Sequence, residues 1–111
     1  MRNPLPLMKG TLDVLVLKAL SWGPMHGFEI TQWLEDRSSG RLGIDDSALY
    51  QALHRMEERR LIEAEWGVTE NNRRARYYRV TSAGRVHLRA ESTRWTRYVE
   101  TLSEILTAPA R

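Results

Sequence analysis

Residues 22–30 read WGPMHGFEI. A proline and two glycines here separate two stretches that both carry helical apolar spacing. Pro24 has no amide hydrogen with which to continue a preceding helix, and Gly27 lets the next begin without a side chain in the way. The spacing predicts one helix that ends at Gly23-Pro24 and a second from Gly27 to Arg37, with Ile30, Trp33 and Leu34 recurring along it. A break of this kind sets a hinge angle between two short helices, the local mark of a helix-turn-helix arm.

Upstream of the break, Leu12–Leu20 is apolar on nearly every side, interrupted only by Asp13 and Lys18, with Thr11 as its expected cap. A helix apolar all round belongs in the centre of something, here between this chain's core and a partner's. Downstream, the polar connector SSGRLGID (38–45) leads to a third helix from Asp46 to Arg59, with Asp45 as N-cap. Its inward stripe is Leu49, Ala52, Leu53 and Met56. The opposite face holds Ser47, Tyr50, Gln51, His54, Arg55 and Glu58.

The period then changes. Ile62, Ala64 and Trp66 alternate with Glu63 and Glu65, and Tyr78 and Val80 alternate with Tyr77 and Arg79, which is strand spacing. GVTENNRRAR (67–76) joins the two as a hairpin whose tip contains Asn71-Asn72, residues that tolerate a left-handed backbone. From Ser82, capped by Thr81, a last helix is expected to reach Thr107. At 1.5 Å per residue it is roughly 39 Å long, against a diameter of about 34 Å for a compact chain of this size. It therefore overhangs. Leu88, Trp95, Val99, Leu102 and Leu106 lie on an alternating three- and four-residue seam, with Ser92 filling the gap and Tyr98 and Ile105 beside it. The fold class read from these elements is mostly α with a small β-hairpin wing. It comprises a winged helix-turn-helix over residues 1–81 and a long C-terminal dimerisation helix over 82–111.

The 111 residues, 41% of them apolar, support one domain with a modest core. There is no cysteine, hence neither a disulfide framework nor a thiolate metal site. The run LDVLVLKAL is too short for a bilayer, and MRNPLPL lacks the apolar core of a signal peptide, so a cytoplasmic protein is expected. Between Arg73 and Arg97 stand eight arginines against the single acid Glu91. The local charge is +7, so the remainder of the chain carries −4. Arginine suits bidentate phosphate contact and minor-groove entry, which points to a polyanionic partner. His26, His54 and His87 are scattered and form no ligand set, so no metal or cofactor is expected. With no nucleophile motif and no phosphate loop either, no enzyme is read here.

With these elements placed, the chain resembles the PadR family of bacterial transcriptional regulators. The resemblance is carried by KGTLDVLVLKAL (9–20), GPMHGFEI (23–30), ALYQALHRMEERRLIEAEWG (48–67) and RRARYYRVTSAG (73–84). It implies a winged-helix homodimer, a ligand-responsive repressor on a palindromic double-stranded DNA operator. The third helix would enter the major groove with Tyr50 on the backbone, and a wing with Arg73, Arg74 and Arg76 would approach the minor groove. In multidrug-sensing members a tryptophan matching Trp95 faces its twin and stacks flat aromatic effectors. Four positions depart from the family pattern: Phe28 replaces tyrosine, Gln51 proline, and Arg60 and Asn72 glycine. At Arg60 either the helix runs on, or a left-handed cap costs about 1–2 kcal/mol. The DNA-facing residues expected are therefore Ser47, Tyr50, Gln51, His54, Arg55, Arg73, Arg74 and Arg76. Two other functions fit a winged helix, a protein-docking module and a nonspecific architectural DNA binder.

Overall fold

A computed structural model describes residues 5, 7, 8 and 10–110; residues 1–4, 6, 9 and 111, which include most of the stretch searched for a signal peptide, lie outside the described residues. The elements follow the order α1 (Thr11–Leu20), α2 (Gly27–Arg37), α3 (Asp46–Glu58), β1 (Ile62–Val68), β2 (Arg74–Val80) and α4 (Ser82–Leu106). The two strands form one antiparallel hairpin in which Ile62 pairs with Val80 and Val68 with Arg74. This is the expected winged arrangement, mostly helical with a two-stranded hairpin. Among the described residues no helix is long and apolar enough to cross a membrane.

The core is one cluster in which Val16, Leu17 and Leu20 of α1 meet Ile30 and Leu34 of α2, the full α3 stripe, and Ile62, Tyr78 and Val80 of the hairpin. Fully burying each of the large aliphatic side chains is worth about 1.5–3 kcal/mol, so this cluster holds the arm and the wing to one centre. The first turns of α4 join it. Gly84 sits where an added Cβ would collide with the backbone of Leu61, so only glycine lets α4 start this close.

Leu88, expected at the head of the dimer seam, is instead buried in the core of its own chain. Two turns into α4 the domain still extends far enough to cover it. Thr11 is not the cap of α1 either. Gly10 occupies that position with φ 90°, and the Thr11 hydroxyl donates to the Met8 carbonyl at 2.6 Å.

The helix ends explain several other positions. Asp45 caps α3 by accepting from the Ala48 amide at 3.1 Å. At the other end Arg60 takes φ 60°, while the Leu61 amide donates to Met56 and the Arg60 amide to Glu57. These two bonds make a Schellman cap, and its left-handed residue is ordinarily glycine. So helix 3 stops, and Arg60 carries the strain. The Thr81 hydroxyl then ties this corner to α4, donating to the Arg60 carbonyl at 2.7 Å and accepting from the Gly84 amide at 3.0 Å.

Candidate nucleic-acid interface

The break at 22–30 does more than set an angle. Gly23 has φ 147°, and Met25 pairs with Tyr78 of β2 through amide–carbonyl bonds of 3.1 and 2.9 Å in the two directions. The turn between α1 and α2 is thereby stitched to the wing. His26 is the N-cap of α2: its Nδ1 accepts from the Glu29 amide at 3.3 Å, and the Glu29 carboxylate accepts from the His26 amide at 3.1 Å. This reciprocal capping satisfies two helix-end donors and locks the start of α2 beside the hairpin. The His26 ring also stands edge-on to Tyr77, 5.3 Å between centroids.

At the same place Gly27 has a packing reason to lack a side chain. A Cβ there would lie 2.6 Å from the Tyr50 hydroxyl. Tyr50 thus leans against the start of α2 while remaining largely exposed. The outward face of α3 is as expected, with Ser47, Tyr50, Gln51, His54 and Arg55 all exposed and lining one shallow groove. Arg55, however, is engaged within the chain: its guanidinium donates to Asp13 of α1 at 2.8 Å. His54 faces Glu58 one turn on, at 3.3 Å.

The wing arginines sort into two kinds. Arg76 is bonded to Glu57 of α3 at 2.8 Å, and Arg79 to its cross-strand neighbour Glu63 at 2.9 Å. Arg73 and Arg74, nearer the tip, have no acidic partner among the described residues. Instead the Arg74 guanidinium lies over the Trp66 indole, 4.6 Å from its centre. The turn before them is held by Thr69, whose amide donates to the Arg73 carbonyl at 2.8 Å, and by Asn72 with φ 62°.

Between α2 and the wing these pieces enclose an open cleft of about 740 Å³, walled by Phe28, Tyr50, Trp66, Arg73, Arg74 and Arg76 among others. Phe28 and Trp66 are exposed by 71% and 60%, unusual for residues of their size. Tyr78 closes the inner end, where burial pushes its phenol above the ordinary tyrosine value while the Arg76 guanidinium pulls the other way. The phenol therefore stays neutral through the physiological range.

Sequence comparison decides what this surface belongs to. Residues 16–90 match the model of the transcriptional regulator PadR-like family. The chain belongs to that family. A PadR-family regulator from Eggerthella lenta is 28% identical, with a TM-score of 0.75 over 91% of this chain and 86% of that one. A PadR-like regulator from Bacillus cereus superposes with a TM-score of 0.78 at 23% identity, covering 91% and 96% of the two chains. An uncharacterised protein from Lysinibacillus sphaericus is 29% identical over 94 residues, which span 85% of this chain and 86% of that protein. The fold is accordingly that of a DNA-binding transcriptional regulator. For a PadR-like chain the turn at 22–30 is the region that sequence reading explained least. Neither the pairing of Met25 with the wing nor the capping role of His26 has a periodic signature, although Glu29 three residues after His26 is the spacing of a capping box.

Past Leu88, α4 leaves the core. Trp95 stays half-buried, with its indole near Gly10 and edge-on to Tyr98 at 6.0 Å. Beyond it Tyr98, Val99, Leu102, Ile105 and Leu106 are exposed, the last two by 67% and 74%.

Proposed function

We propose that this PadR-like chain is a repressor that binds a palindromic operator as a homodimer, with residues 1–81 as the DNA-binding unit and 82–111 as the dimerisation helix. The observation that carries the reading is the sorting of cations around an exposed α3 face. Arg76 and Arg79 are neutralised by carboxylates, whereas Arg73 and Arg74 at the wing tip are left to meet phosphate. Ser47, Gln51 and His54 enter the major groove with Tyr50 on the backbone, and Gln51 is the residue with the donor–acceptor pair that reads adenine. Arg55 reaches the same surface but shares its charge with Asp13, so its contribution is smaller. A second copy packs on the stripe formed by Trp95, Tyr98, Val99, Leu102, Ile105 and Leu106. The two-fold axis then sets two half-sites about one helical turn apart.

The test is selection of bound duplexes from a pool with a randomised core. A repressor of this kind returns an inverted repeat, and Gln51→Ala lowers discrimination at one base pair by about 1–3 kcal/mol. Recovery of unrelated sequences would instead indicate an architectural binder, and recovery of none a protein-docking module.

A second reading attaches to Trp95. Its indole is half-buried where the exposed stripe of α4 begins, edge-on to Tyr98 at 6.0 Å. On this reading a flat aromatic effector stacks between Trp95 and its twin, where an aromatic pair contributes about 0.5–1.5 kcal/mol beyond area burial. Titration of planar aromatics against tryptophan emission tests it, with Trp95→Phe as control. Quenching that survives in the control assigns Trp95 to packing alone.

A further inference from the structure

The wing cleft combines three things that a solvated hairpin does not need: bare aromatic faces, arginines without acidic partners, and a stack that fixes one of those arginines. Along one face of the hairpin the side chains run Ile62, Ala64, Trp66, Val68 on β1 and Val80, Tyr78, Arg76, Arg74 on β2. The inner pairs are core. The outer ones continue the same face past the end of the core and into the cleft, opposite Phe28 and Tyr50. Trp66 stands directly across from Arg76 and diagonal to Arg74, which is within reach of a long side chain laid across the strands. Arg76 is taken by Glu57, so the indole face is left to Arg74.

From this geometry we infer that Trp66 is a positioning residue for Arg74, and that the cleft grips one sugar–phosphate strand with Arg74 on a single phosphate. The inference rests on the DNA-binding reading above and narrows it, from wing-tip cations that meet phosphate to one guanidinium held on one phosphate by Trp66. Three physical points support the assignment. A guanidinium whose carbon lies over an indole leaves N–H donors at its edge for solvent or ligand, and those are the donors that fork a phosphate. Holding the side chain in advance reduces the rotamer entropy lost when the contact forms. The exposed ring of Phe28 offers apolar surface to a deoxyribose beside that phosphate. On this view a hydroxyl at position 28 is not needed.

The experiment uses the full-length protein and the duplex recovered by the random-pool selection. Its affinity is measured for wild type, Trp66→Ala, Trp66→Phe and Arg74→Ala. Loss of an exposed cation–π stack should weaken binding about two- to fivefold in Trp66→Ala. Trp66→Phe should recover part of this, and Arg74→Ala should cost about tenfold or more. The decisive series repeats these measurements on duplexes with one phosphate at a time replaced by an uncharged methylphosphonate. At one position both Trp66→Ala and Arg74→Ala should have no further effect, because the contact they serve is already gone. A merely structural Trp66 would weaken every duplex by the same factor, and that outcome overturns the inference. So does a Trp66→Ala protein that binds as wild type, or an Arg74 side chain whose protons show no indole ring-current shift in the free protein. If wild type binds no duplex, the DNA reading fails with it; if wild type binds and no phosphate shows coupling, this inference fails alone.

Discussion

The hairpin and α4 both begin inside the core and both run out of it, yet they leave with opposite chemistry. At their bases Ile62, Tyr78 and Val80 of the hairpin and Leu88 of α4 are buried in one cluster. Farther out, the hairpin face carries Trp66, Arg74 and Arg76, whereas α4 carries Tyr98, Val99, Leu102, Ile105 and Leu106. The periodicity is unbroken in both, so neither exit is a failure of folding. An aromatic and arginine face is matched by a polyanion, and an aliphatic stripe by another apolar surface. Where a periodic pattern outruns its own core, its side chains describe the partner.

The largest expected effect comes from placing a carboxylate at the α4 exit. Leu102→Asp puts an unpaired charge on each copy into the proposed apolar interface, at a cost of ~3 kcal/mol or more. Sedimentation should report a folded monomer, or aggregate, at concentrations where the wild type is expected to be a dimer. The same change leaves the monomer's core alone, because Leu102 is already 40% exposed within its own chain. Wild-type protein that sediments as a folded monomer at micromolar concentration would end the comparison on its α4 side.

A smaller effect divides the hairpin against itself. Arg73 and Arg79 are both exposed wing cations, but only Arg79 has a carboxylate beside it. Arg73→Ala should weaken binding to all duplexes alike and reduce the slope of log affinity against log salt by about one unit. Arg79→Ala should leave the slope unchanged, since its charge is already balanced by Glu63. If the two variants behave alike, the pairing of wing cations does not decide which of them meet DNA.

Much of this layout was legible in the chain. The changes of period at residues 61 and 81 marked the hairpin and α4, and the apolar stripe of α3 left its outward side by elimination. What stayed hidden depends on distance through space. Arg55 meets Asp13 across 42 positions, and Arg76 meets Glu57 across 19; neither separation corresponds to any helix or strand spacing. Periodicity likewise placed Leu88 on the right stripe of α4 without revealing how far the domain extends beneath it. The bond between Met25 and Tyr78 joins a turn to a strand 53 residues later, and a turn has no alternation by which to announce its partner.

The finest test concerns the corner from which the hairpin departs. Arg60 and Asn72 both stand in left-handed backbone, at φ 60° and 62°, one just before β1 and the other in the turn between β1 and β2. A left-handed conformation costs a residue with a Cβ about 1–2 kcal/mol, but asparagine recovers part of this through its short polar side chain. Glycine removes the strain and adds about 0.5–1 kcal/mol of chain entropy to the unfolded state. Arg60→Gly should therefore stabilise the protein by roughly 1 kcal/mol, and Asn72→Gly by less. Arg60→Ala should bring nothing, because alanine keeps the same clash. Urea unfolding at fixed protein concentration reads these differences as shifts in midpoint with an unchanged slope. A gain in Arg60→Ala equal to that in Arg60→Gly would trace the penalty to the arginine's charge beside Arg59 rather than to its backbone. If instead Arg60→Gly is stabilised and binds the selected duplex less tightly, the strain is held in place by a cation that touches DNA, and the wing's positive surface extends to the corner where it leaves α3.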